Sequence, residues 1–168
     1  MSQAEVSSKS TAEVVYVSRV RVETKPGGIK LITLPEESAP VPMGLHGAIA
    51  AHYKLAEGSF TPRAATLDYI VGATAGCLMG TLNRALQVRD IATDCGRLQA
   101  EAIGEIEVEE GVLVIRRIRM RVRLQAPASQ REAVDRVIGI YATKCPVYRS
   151  LHKAIDITTE LDFQPINT

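Results

Sequence analysis

The sequence predicts an α+β fold in which antiparallel strand hairpins bracket a long helix. Three observations carry this. Two segments rich in β-branched residues, Val14 to Glu23 and Ile29 to Leu34, flank Lys25-Pro26-Gly27-Gly28. An apolar run from Thr66 to about Gln87 repeats at helical spacing. A second pair of segments, Leu98 to Glu109 and Val112 to Leu124, alternates with period two across Glu109-Glu110-Gly111. With 168 residues the chain can bury one core and is short for two. Residues 1–11 are small and polar and are expected to be a flexible N-terminus, with 12–168 as a single domain.

In the first hairpin, Pro26 presets one dihedral and the glycines allow positive φ, so the turn has a mechanism. Pro35 to Pro42 holds three prolines and two glutamates and reads as an irregular loop. Gly44 to Leu55 is expected as a third strand, although its alanines favour strand poorly. Along the central helix Leu67, Ile70, Val71, Thr74, Cys77, Leu78, Leu82 and Leu86 recur at steps of three and four. Gly72, Ala73, Ala75, Gly76 and Gly80 fill much of the remainder. That pattern predicts a largely buried helix with other backbone close on several sides.

The second hairpin alternates cleanly. Ile118, Met120, Val122 and Leu124 point one way, and Arg117, Arg119, Arg121 and Arg123 the other. Four strand arginines suggest a nucleic-acid face. Glu101, Glu105, Glu107 and Glu109 on the neighbouring strand favour cross-strand ion pairs instead. Ser129 and Glu132 form a capping box that opens a helix to about Thr143. Pro146 suits the first turn of a new short helix to Lys153, with Cys145 at its cap. Ala154 to Phe163 is the last strand.

Composition excludes several classes. Hydrophobic residues make up 46% and charged residues 23%, which is ordinary for a globular domain. A net charge of +1 supplies no field for nucleic acid or an anionic membrane. Two Phe, five Tyr and no Trp leave little for base stacking. No apolar run reaches membrane-spanning length. The first ten residues lack the apolar segment of a signal peptide, so a cytoplasmic protein is expected. His46 and His52 would share a side of the expected strand, but no close ligand pair accompanies them and no metal is expected. His152 reads as a surface residue.

The three cysteines matter most. In a reducing compartment they are free, catalytic or metal-binding rather than a disulfide framework. Cys145 at a helix N-terminus meets the positive end of the helix dipole, which favours a thiolate. Cys77, in mid-helix, is made inert by burial unless a cation lies near. Spacing alone leaves two readings open: a redox pair, or two structural core thiols. Cys95 reads as incidental.

The order of these elements, with Ala75-Gly76-Cys77-Leu78 on the central helix and Cys145-Pro146-Val147 after the capped helix, resembles the OsmC/Ohr family, osmotically inducible protein C and organic hydroperoxide resistance protein. The resemblance runs from about Val14 to Phe163. It implies an intertwined homodimer whose curved antiparallel sheets wrap central helices, with sites at the dimer interface. It implies that Cys77 attacks a peroxide and becomes a sulfenic acid, and that Cys145 resolves it as a disulfide. The reductant would be an external dithiol, often lipoyl-linked, with no bound cofactor. An apolar wall around Cys77 would favour organic hydroperoxides.

Active members also pair an arginine of the N-terminal strands with a carboxylate at the helix start. Where the family has Pro-x-Glu, this chain has Thr66-Leu67-Asp68, which makes Asp68 the matching carboxylate. Arg21, beside the hairpin turn, is the preferred arginine, and Arg19 the next. The altered helix start keeps an alternative open: a non-catalytic dimer of the same fold that binds a small apolar ligand or senses redox state. A Cys77 pKa below the usual thiol value of about 8.5 favours the enzyme, and a raised one favours the alternative.

Overall fold

The computed structural model describes residues 13–167; the expected flexible segment 1–11 lies outside the described residues, apart from which two compact units divide between Arg63 and Ala64.

In the first unit, β1 (Arg21–Lys25), β2 (Ile29–Thr33) and β3 (Val41–Met43) form an antiparallel sheet in the order β1-β2-β3. Gly27 and Gly28 both take φ near 74° in the turn after β1, as the Pro-Gly-Gly signal requires. The strand expected from Val14 starts only at Arg21. Residues 13–20 take no regular structure, and Val15 is 94% exposed. β-propensity reflects packing on a neighbouring strand, and these residues have none among the described residues of their unit.

The third strand expected over Gly44 to Leu55 is also corrected. Pairing is made instead by Val41–Met43, at the end of the supposed loop, with Pro42 on an edge strand where its missing N–H is tolerated. Gly47–His52 is a short helix, α1. Its alanines, the best helix formers, outweigh the strand pattern. His46 precedes that helix and His52 ends it, so neither histidine belongs to a strand.

The second unit holds α2 (Thr66–Gln87), β4 (Leu98–Glu109), β5 (Val112–Pro127), α3 (Arg131–Ile140), α4 (Pro146–Leu151) and β6 (Asp156–Ile166). Its sheet order is β4-β5-β6. β4 and β5 form the expected hairpin, with Glu110 and Gly111 at positive φ in the turn. β6 pairs with β5 in parallel, so this sheet is mixed. The crossover through α3 and α4 permits that arrangement, since parallel strands cannot be joined by a tight turn.

A bulge opposite Glu105/Ile106 places Arg116 as an extra residue in β5 and resets the alternation, so that Ile115 and Ile118 are both buried. Ile118, Met120, Val122 and Leu124 face inward as the period-two pattern requires. Leu78, Leu82 and Leu86 of α2 pack on them with no exposed surface, together with Val134 and Val137 of α3. Burial of each such leucine stabilises the fold by about 1.5–3 kcal/mol. On the other face Arg117 pairs with Glu105 and Glu107, and Arg119 with Glu105 at 2.9 Å. Arg117 holds the Glu105 carboxyl below its usual range. Arg117 and Arg119 thus make the expected cross-strand ion pairs, which contribute little stability, whereas Arg123 bonds Gln99.

Two details of the helices differ from expectation. Burial in α2 is confined to one face, Thr74, Leu78, Leu82 and Leu86. A Cβ at Gly72, Gly76 or Gly80 would meet no neighbour in its unit; the tight approach is instead at Gly104 of β4, where a Cβ would strike the Val71 side chain. The capping box at Ser129 is absent as well. Ala128–Gln130 is a 3₁₀ turn, Gln130 precedes α3, and no side chain caps it. The helix then ends at Ile140, and Tyr141–Lys144 tightens into a second 3₁₀ turn. Pro146 drives this, because the residue before a proline avoids the helical region. Cys145 accordingly sits at φ −80°, ψ 123°.

Candidate functional site

The second unit brings the two singled-out thiols together. Cys77 lies mid-way along α2, and Cys145 stands at the N-cap of α4. Their sulfurs are 3.2 Å apart although 68 residues separate them in sequence. Both are free thiols. Cys145 is completely buried, whereas Cys77 is half-buried. The contact therefore has an inner sulfur and an outer one.

The first turn of α4 serves both sulfurs. Cys145 Sγ accepts the Tyr148 N–H at 3.5 Å. The Val147 N–H donates to Cys77. These are donors that a helix start leaves without intrahelical partners. Burial nevertheless pushes the Cys77 thiol above its usual value, the Val147 N–H acts in the opposite sense, and the neighbouring Cys145 adds to the rise. Among the described residues of the second unit no cation offsets this. Cys145 belongs to the apolar core, and Cys77 and Val147 pack against it.

The turn that delivers Cys145 is anchored from below. Tyr141 is 2% exposed, and its hydroxyl lies 2.6 Å from Thr159 Oγ1 on β6. Burial raises the Tyr141 pKa, the Thr159 hydrogen bond opposes the rise, and Cys145 adds to it. The Cys145 N–H donates to Ala142 O within the same turn at 3.0 Å. Sequence reasoning placed Tyr141 only in an apolar stripe. A buried phenol carries a hydroxyl that requires a partner, which was the available signal. The Val147 and Tyr148 amides are backbone groups and leave no signature in sequence.

Of the other candidate residues, Asp68 shares the second unit with the thiols and the arginines belong to the first. Asp68 occupies the first turn of α2, where its carboxylate accepts the Ala65 N–H at 2.6 Å and so caps the helix. Nine residues of α-helix put it about 14 Å along the axis from Cys77, on the opposite side. Any effect of Asp68 on Cys77 must pass through another residue. Arg19 and Arg21 belong to the first unit, where both line an open groove of about 740 Å³ with Tyr16, Val17, Val20 and Leu34. In the second unit a groove of about 350 Å³ runs along β5 and β6 past Arg119, Arg121 and Thr159. Neither Cys77 nor Cys145 lines this second groove. Cys95 is exposed at φ 51°, in the loop before β4.

Among the described residues no group of three or more His, Cys, Asp or Glu is arranged to hold a metal ion. No helix among them is long and apolar enough to cross a membrane.

A paired buried and half-buried thiol on this α+β framework defines a dithiol protein of a recognisable class. The family model for OsmC-like protein matches residues 60–160, which includes both cysteines, and the chain belongs to that family. No curated protein matches it in sequence. Among solved structures it is similar to the organic hydroperoxide resistance protein OhrB of Bacillus subtilis, at 14% identity and a TM-score of 0.62, over 89% of this chain and all of that one. An OsmC-like protein from Mycoplasma pneumoniae aligns at 12% identity and a TM-score of 0.68, over 92% of this chain and 100% of that one. An organic hydroperoxide resistance protein OsmC from Legionella pneumophila aligns at 10% identity and a TM-score of 0.62, over 89% and 99%. At these identities the likeness establishes the fold.

Proposed function

We propose that this protein is a cysteine-dependent peroxidase that reduces organic hydroperoxides. The observation that carries the reading is the 3.2 Å separation of the two sulfurs. In this reading the Cys77 thiolate attacks the outer peroxide oxygen. The O–O bond breaks, the alcohol leaves with a proton, and Cys77 becomes a sulfenic acid. Cys145 then attacks the Cys77 sulfur, the S–O bond breaks, and water leaves with the formation of a disulfide. An external dithiol, of which a lipoyl group is one example, takes up the oxidising equivalents and returns both thiols. Cys77 packs against the apolar core, which supports a substrate with an apolar substituent. Arg21, or failing it Arg19, supplies the cation that Cys77 needs, and Asp68 orients that arginine. The working form is a cytoplasmic homodimer.

One observation favours a second reading. Burial raises the Cys77 pKa, whereas a nucleophile working near neutrality needs it lowered. In that reading the dimer binds an apolar ligand or registers redox state slowly, without turnover. The experiment measures cumene hydroperoxide consumption with dihydrolipoamide in wild type, Cys77→Ser and Cys145→Ser, beside the pH profile of Cys77 alkylation in Cys145→Ser. The peroxidase predicts loss of turnover in both serine variants, an alkylation midpoint below about 8.5, and an upward move of that midpoint in Arg21→Ala or Arg19→Ala. Unchanged consumption in Cys77→Ser ends the proposal. A midpoint above that value, unmoved by either arginine variant, selects the second reading.

A further inference from the structure

We infer that Tyr141 and Thr159 form a positioning pair that holds Cys145 against Cys77. The inference rests on the dithiol reading above and deepens it by naming what sets the meeting of the two sulfurs. Cys145 is not carried by a regular helical ladder. It follows a single 3₁₀ turn, Tyr141–Lys144, and precedes the proline that starts α4. Such a turn has poorer hydrogen-bond geometry than an α-helix and holds its register weakly on its own.

Two contacts fix that register. The Cys145 N–H donates to Ala142 O at 3.0 Å, which ties the cysteine backbone to the turn. The Tyr141 hydroxyl meets Thr159 Oγ1 at 2.6 Å, which ties the turn to β6. Thr159 in turn stands beside Met120 in the parallel register of β5 and β6. Met120 is 1% exposed in the same core that holds Leu78, one residue after Cys77. A closed path of packed and hydrogen-bonded groups thus runs from Cys145 through the turn, the phenol and the sheet back to the helix that carries Cys77. The raised pKa of Tyr141, to which Cys145 contributes, is consistent with the phenol and this thiol being near neighbours.

A phenylalanine at 141 would fill the same space. The hydroxyl is thus spent on the Thr159 contact, and its role is testable apart from packing. If the pair only stabilises the fold, its loss weakens the dithiol and disulfide forms equally. The equilibrium between the two forms is then unchanged. If the pair positions Cys145, its loss frees the sulfur in the dithiol form alone, and the disulfide becomes harder to close.

The test is the equilibrium between dithiol and disulfide in glutathione buffers, which involves no peroxide. It compares full-length wild type, Tyr141→Phe, Thr159→Val and the double variant, each on a Cys95→Ser background. A positioning pair predicts that each single variant lowers the effective concentration of the two thiols by about 2- to 10-fold, the equivalent of one net hydrogen bond. It also predicts that the double variant is no lower than the singles, since one contact is lost in all three. An unchanged equilibrium in both singles, with a disulfide still formed, overturns the positioning role and leaves the dithiol reading standing. Independent, multiplying effects in the double variant overturn it as well. A wild type that forms no Cys77–Cys145 disulfide at any glutathione ratio overturns both.

Discussion

Closing a disulfide between Cys77 and Cys145 should raise the stability of this protein by an amount that the structure lets one calculate. The bridge would join positions 68 residues apart. A cross-link of that span removes about 15 cal/mol/K of chain entropy from the unfolded state, or about 4 kcal/mol at 25 °C. The sulfurs start 3.2 Å apart and need approach by only about 1.1 Å to reach bonding distance. For a chain of 168 residues each kcal/mol moves the melting temperature by about 2–4 °C. The oxidised protein should therefore melt about 10 °C or more above the reduced one. The assay is thermal denaturation by circular dichroism, after diamide oxidation and after reduction with dithiothreitol. Cys145→Ser should abolish the difference and Cys95→Ser should preserve it. An oxidised form that melts at or below the reduced form would refute the reasoning, because the 3.2 Å contact would then not be proximity in a bondable geometry. So would a difference that survives in Cys145→Ser.

Three further outcomes are expected. Leu82→Ala, at a fully buried position between α2 and the sheet, should cost about 2–5 kcal/mol in urea denaturation. Gly104→Ala should destabilise by about 1–3 kcal/mol because the new Cβ strikes Val71, and Val71→Ala should recover part of that loss in a double-mutant cycle. The folded protein holds the Tyr141 proton to higher pH than the unfolded chain does. That contribution is complete below the unfolded tyrosine value of about 10 and is lost as pH rises through the folded one. Urea midpoints of wild type should accordingly fall more steeply above pH ~10 than those of Tyr141→Phe, and parallel curves would contradict the shift.

Residues that report their own burial were legible in sequence. The apolar steps from Thr66 to Gln87 gave α2 both its ends, and the alternation through Ile118, Met120, Val122 and Leu124 gave β5 its inner face. Where sequence misled, local preference competed with something that a linear pattern does not record. Val14 to Val20 has strand composition and no neighbouring strand among the described residues of its unit, so it stays unpaired. Gly47–His52 was weak as a strand for the reason that makes it a helix, its alanines. Ser129 has the spacing of a cap, but the chain reaches α3 through a 3₁₀ turn and bypasses it. The parallel seat of β6 depends on the crossover, which no residue encodes singly. At the site, spacing left Cys77 and Cys145 as either a redox pair or two core thiols, and their pairing was implied only by the resemblance to the OsmC/Ohr family. The capping of Ala65 by Asp68 and the anchoring of Tyr141 by Thr159 are pairings that only coordinates reveal.

The parallel seat of β6 also has a consequence for biogenesis. Cys77 and Cys145 both precede this strand in the chain, yet Thr159, the partner of Tyr141 in the turn before Cys145, lies on it. During translation the two sulfurs are therefore synthesised before Thr159 is. The contact between Tyr141 and Thr159 can form only once that last strand has joined the sheet.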